Sequence, residues 1–96
     1  MSSPGARLRE AMANGMVLAP FVYDGFTALI AQGQGAQAVD MTGHGTAAQI
    51  GLPDVGLASM AEMAGNLGYI AGAVDIPVIA DADTGYGNAI NTQRTV

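Results

Sequence analysis

The stretch VIADADTGYG, residues 78–87, ends an apolar run with two aspartates one residue apart, then adds a tyrosine between two glycines. Residues i and i+2 of a strand point to one face, so Asp81 and Asp83 would leave the strand's C-terminal end together. Parallel α/β proteins bind their ligands at that end. Two carboxylates aimed at one place repel unless a proton or a cation lies between them. Mg²⁺ is the natural cation, because it takes oxygen ligands and keeps waters for a substrate to displace. The same residues also suit a plain structural role, with Asp83 capping the following turn or helix and Asp81 solvated. A calcium loop is excluded: the EF-hand pattern needs Gly sixth and Glu twelfth, and those places hold Tyr86 and Thr92.

A second group of polar residues lies upstream in MTGHG, where Thr42, Gly43 and His44 follow another apolar run. Backbone N–H groups beside a hydroxyl and an imidazole suit the carboxylate or phosphate of a small substrate. An exposed loop histidine and a turn threonine are the plainer readings of His44 and Thr42. Gly43, Gly45 and Ala48 also match the relaxed dinucleotide fingerprint G-x-G-x-x-A. That fingerprint needs a helix to begin there, and Gly51, Leu52 and Pro53 break the segment within a few residues, so a loop is expected and the fingerprint is set aside. The match at residues 33–38 follows a helix, which is the wrong context. Asp54, in GLPD, is a loop aspartate that by itself reads as a turn residue.

The elements that must position these groups read as alternating strands and helices. A short helix over residues 6–13 closes at Asn14-Gly15. A buried strand is expected over residues 17–19, ended by Pro20. Asp24 caps the next helix, whose apolar positions are Phe26, Leu29 and Ile30 and which ends at Gly33 and Gly35. AQAVDMTG is the second strand and opens into the glycine-rich loop. Ser59 and Glu62 have capping-box spacing, and Met63, Leu67, Ile70 and Val74 then fall on one helical face. The third strand spans residues 77–80, and the chain turns helical again after Gly87. Strands alternating with helices predict an α/β fold with a parallel sheet, and three strands leave that sheet with open faces and edges.

Composition narrows the partners. The net charge is −5, with three basic residues in 96, so the clustered cations of a nucleic-acid binder are missing. Cysteine is absent, which removes disulfides, thiolate metal sites and cysteine catalysis from these residues and fits a reducing cytoplasm. No run reaches the roughly 18 apolar residues of a membrane span. Half the residues are hydrophobic, which is enough for a core.

APFVYDGFTALIAQ, MTGHGTAAQIGLPDVGLASMAEM and VDIPVIADADTGYGNAINTQRTV together resemble the isocitrate lyase / phosphoenolpyruvate mutase superfamily. The pairing of a strand-end DADTGYGN with an upstream GLPD carries the resemblance. It implies a TIM (β/α)₈ barrel of which residues 1–96 are the N-terminal three β/α units, a single incomplete domain preceded by a helix. It also implies Mg²⁺ or Mn²⁺ and a reaction that makes or breaks a C–C or P–C bond beside a carboxylate, through an enolate of a small 2-oxo acid. By this resemblance Asp81 is a metal ligand and Asp83 holds metal-bound water. Asp54 is a catalytic loop residue, and Thr42 and Gly43, with His44 beside them, grip the substrate carboxylate. Asp40 stands where the family usually has an aromatic residue, and His44 where a small residue is common. A small anionic carboxylate is the implied partner, with homo-oligomers expected of the complete barrel. A barrel needs eight strands and about 250 residues, so 96 residues alone are expected to be inactive. A truncated, non-catalytic fragment is the rival expectation.

Overall fold

The computed structural model describes residues 3–96. In chain order the elements are α1 (Pro4–Ala13), β1 (Phe21–Val22), α2 (Gly25–Gly33), β2 (Val39–Met41), α3 (Gly43–Gln49), α4 (Met60–Ala73), β3 (Val78–Ala80) and α5 (Ala89–Thr95). The strands form one parallel sheet in the order β1-β2-β3. Each helix starts on a polar side chain that satisfies free N–H groups of its first turn. Asp24 accepts from the Thr27 N–H at 2.7 Å, and Ser59 and Glu62 form the expected reciprocal box. Ser3, Thr42 and Asn88 begin the other three.

Strand register sorts the side chains onto two faces. Val22 pairs with Met41 and Val39 with Val78. Val22, Val39 and Met41 are buried against Ala28 of α2 and Met63, Ile70 and Val74 of α4 and its end. The stripe expected on α4 is therefore the one that meets the sheet. The opposite face carries the row Phe21, Asp40 and Ile79, which lie side by side on the three strands. Phe21 is 75% exposed.

Five expectations are corrected. The first strand lies at Phe21–Val22 rather than residues 17–19, and Leu18 is exposed. Pro20 begins the ladder instead of ending it: its carbonyl accepts from the Asp40 N–H at 2.9 Å, a role that needs no N–H of its own. GHGTAA is a helix and not a loop, since Thr42 caps it and seven residues fit before Gly51 takes a φ of 74°. Phe26, Leu29 and Ile30 point outward, and Ala28 and Ala31 are the α2 residues that meet the core. A small residue there lets the helix lie close to the sheet. The two aspartates, finally, stand beyond β3 and are brought together by a turn rather than by strand alternation.

Candidate active site

The C-terminal ends of all three strands converge on one place. An open cavity of about 350 Å³ there is bordered by Asp40, Thr42, His44, Asp54, Ile79 and Asp81. It unites five of the polar residues that the sequence singled out.

Asp81 follows directly on β3. Its Oδ1 accepts the Asp83 N–H at 2.9 Å, an Asx turn that holds the second carboxylate beside the first. Asp83 itself has a φ of 44°, in the left-handed region where a non-glycine residue is strained. Tyr86, also at positive φ, donates its hydroxyl to the Asp81 carbonyl at 3.4 Å. Asp83 does not cap the next helix, because Asn88 does.

Gly43, the first residue of α3, explains how Asp81 meets the second loop. A β-carbon added there would lie 2.5 Å from Asp81 Oδ2, so the carboxylate holds this place only because residue 43 has no side chain to push it aside. Thr42 accepts the Gly45 N–H at 3.2 Å, which fixes the turn that presents Gly43. A helix does begin at this fingerprint, contrary to the ground on which it was set aside. Its N-terminus, however, is faced by a carboxylate of the protein where a pyrophosphate would sit.

Asp54 arrives from the loop after α3. Its Oδ2 lies 4.0 Å from His44 Nδ1, and both side chains are exposed. The electrostatics are those of crowded negative charge. Burial, then Asp81, then Asp54 push the Asp83 carboxyl above the usual aspartate range. Burial first and Asp81 second do the same to Asp40.

These groups suit a divalent cation in chemistry. The Asp81 and Asp83 oxygens are hard donors whose mutual repulsion a cation would relieve. Among the described residues no three His, Cys, Asp or Glu side chains gather as a complete metal site. Two carboxylates leave the remaining positions to water, substrate or other residues, which Mg²⁺ accepts readily.

Sequence reasoning missed Asn66 and Thr46. Asn66 lies on the core-facing stripe of α4, three residues after Met63 and four before Ile70, and its amide joins Tyr23 and Thr46 behind the site. An amide on an apolar stripe was the available signal, because a half-buried polar group there demands partners.

Comparison with known proteins shows the family of the chain. The sequence model of the family described as "Phosphoenolpyruvate phosphomutase" matches residues 8–96. The chain belongs to that family. It is 48% identical over 93 residues to 2,3-dimethylmalate lyase of Eubacterium barkeri, a match covering 95% of this chain and 32% of the relative. It is 41% identical to 2-methylisocitrate lyase of Aeropyrum pernix, covering 100% of this chain and 32% of that one. In crystal structures, 2,3-dimethylmalate lyase superposes with a TM-score of 0.88 at 42% identity, over 99% of this chain and 35% of that one. A phosphonopyruvate hydrolase complexed with oxalate and Mg²⁺ gives 0.90 at 30% identity, over 97% and 33%. This phosphoenolpyruvate phosphomutase family chain thus spans about a third of the lyases and phosphomutases it matches. Its three-stranded parallel sheet is part of their TIM-type barrel.

Proposed function

We propose that these residues form the cation- and carboxylate-binding part of a Mg²⁺- or Mn²⁺-dependent lyase or mutase. The enzyme makes or breaks a C–C or P–C bond beside the carboxylate of a small 2-oxo or 2-hydroxy acid, through an enolate. One observation carries the reading: the Asp81 carboxylate, with Asp83 turned beside it, stands against the glycine that opens α3, at the ligand-binding end of a parallel sheet.

Asp81 and Asp83 hold the cation, which when bound supplies a positive charge that stabilises a developing oxyanion. The Thr42–Gly43 backbone, which at Thr42 borders the same cavity as Asp81, is the segment that holds the far side of the substrate carboxylate, with His44 beside it. Asp54 faces the same cavity from the loop after α3 and is the group placed to hold or move a proton on the substrate. Asp40 adds a further carboxylate on β2, so a substrate group that reaches the middle strand would meet a negative charge. The complete barrel is expected to assemble as a homo-oligomer.

A second reading follows from the open sheet face. By themselves residues 3–96 leave the row Phe21, Asp40 and Ile79 uncovered, which favours an inactive fragment when nothing closes the barrel.

The test is turnover of the full-length protein on 2,3-dimethylmalate, 2-methylisocitrate and oxaloacetate, with Mg²⁺ or with EDTA. Cleavage that needs Mg²⁺ and is abolished by Asp81→Ala is expected. Equal rates in EDTA, or full activity in Asp81→Ala, would reject the enzyme reading.

A further inference from the structure

Behind the candidate site, two strand-end segments are tied by one side chain. Asn66 sits in the middle of α4, half-buried, and its Nδ2 donates twice: to the Tyr23 carbonyl at 3.0 Å and to Thr46 Oγ1 at 3.1 Å. Tyr23 is the residue that follows β1. Thr46, on α3, is 4% exposed, and its hydroxyl donates to the Thr42 carbonyl at 2.7 Å. Gln49 of α3 also donates to the Tyr23 carbonyl. The hydrogens of one amide therefore join the end of β1 to the helix whose first residue abuts Asp81.

We infer that Asn66 is a positioning residue: it sets where α3 places Thr42 and Gly43 over the carboxylates, without touching the substrate. No other residue type of similar size supplies two such donors. Aspartate has the same shape but only accepts, and would turn a charge toward the Tyr23 carbonyl. Thr46 then loses one of its two partners in a buried position, where an unmet polar group is costly. The strain falls on α3, which has only seven residues and depends on its attachments. The consequence for binding rests on the proposed role of Thr42 and Gly43, whereas the consequence for α3 does not.

The experiment compares Asn66→Asp, Thr46→Val and Leu67→Ala in the full-length protein. Leu67 packs against the core one residue from Asn66 and takes no part in the hydrogen bonds, so its variant controls for general destabilisation. Amide hydrogen exchange is read at Gly45 and Thr46, with Met63 and Ile70 as references. Asn66→Asp and Thr46→Val should speed exchange at residues 45 and 46 by about tenfold, the loss of one hydrogen bond to a buried group, while the references hold. Leu67→Ala should speed all four together. Oxalate affinity, measured by calorimetry with Mg²⁺ present, should fall about tenfold in the first two variants and hold in the third. Exchange at 45 and 46 that is unchanged, or that rises no more than in Leu67→Ala, overturns the inference. Should oxalate bind none of these proteins, including the unsubstituted one, the functional reading fails and the exchange pattern still decides the role of Asn66. If Asn66→Asp does not fold, Asn66→Ala removes the same two donors without adding a charge, leaves the Thr46–Thr42 hydrogen bond in place, and decides the matter by the same exchange rates.

Discussion

At the residue scale, the site depends on one absent side chain. Gly43 lets the Asp81 carboxylate stand against the start of α3, and a methyl group there would meet Oδ2 at 2.5 Å. The obstacle is the tip of a movable side chain, so the fold should survive Gly43→Ala while the carboxylate is displaced. Displacement of about 1 Å costs roughly 100-fold in turnover, and steady-state kinetics with circular dichroism as a folding control will measure it. Charge at the same site gives a pH effect. Asp83 and Asp40 titrate above the ordinary aspartate value, burial being the larger cause and Asp81 the next. The folded state therefore keeps a proton that the unfolded chain has lost. That contribution is complete below about pH 3.9 and fades as pH rises through the folded values. Glu62, lowered chiefly by its hydrogen bonds with Ser59, acts in the other direction, so the difference between two proteins is the informative quantity. Without metal, Asp83→Asn should flatten the fall in thermal midpoint above about pH 4. Asparagine tolerates the positive φ at this position. Parallel pH profiles for the two proteins would remove Asp83 as the cause. In the sequence, spacing alone brought Asp81 and Asp83 to notice, but the reason it offered was wrong. An Asx turn joins them, and strand alternation does not.

At the element scale, α4 was the most legible part of the chain. Ser59 and Glu62 mark its start, and Met63, Leu67, Ile70 and Val74 mark the face it buries. Three glycines interrupt it, and close packing would have been their natural reason. A β-carbon at Gly65, Gly68 or Gly72 instead meets nothing within 4 Å. Gly68→Ala should therefore stabilise the protein by about 1 kcal/mol, the helix-propensity difference, read from urea denaturation. A loss of stability would mean that this face is covered in the full-length protein. Elements fixed by long-range pairing were less legible. β1 has two residues, too few for any periodicity, and its place is set by the hydrogen bonds that β2 makes with Pro20 and Val22. α3 was hidden by the breakers that follow it, since Gly51, Leu52 and Pro53 left room for only seven helical residues, and the close neighbours that explain Gly43 and Gly45 come from Asp81, Thr42 and Tyr23. Local rules fail where the site imposes its own geometry.

At the scale of the whole molecule, two apolar grooves lie open beside the outer strands. Beside β1 an apolar groove of about 440 Å³ runs along Phe21, Ile30 and Leu18, and beside β3 another of about 540 Å³ runs along Leu67, Ile76 and Val78. Both lie at sheet edges, away from the carboxylates. In a closed barrel further strands and helices occupy such edges, and the matched relatives are about three times as long as this chain. Among the described residues no helix is long and apolar enough to cross a membrane. The parallel sheet and the grouping of the polar loops at its C-terminal end could be foreseen from the alternation of strands and helices. The outward-facing side of α2 could not, because Phe26, Leu29 and Ile30 read as core residues until neighbours are assigned.

Asp81 and Asp83 are the proposed ligands of one divalent cation. Calorimetric titration of Mn²⁺ into the full-length protein, beside Asp81→Asn, tests this assignment most directly. A single site is expected, with an affinity that falls at least about 100-fold in the variant as a direct ligand is lost. Equal affinity in the two proteins, with both correctly folded, would contradict it.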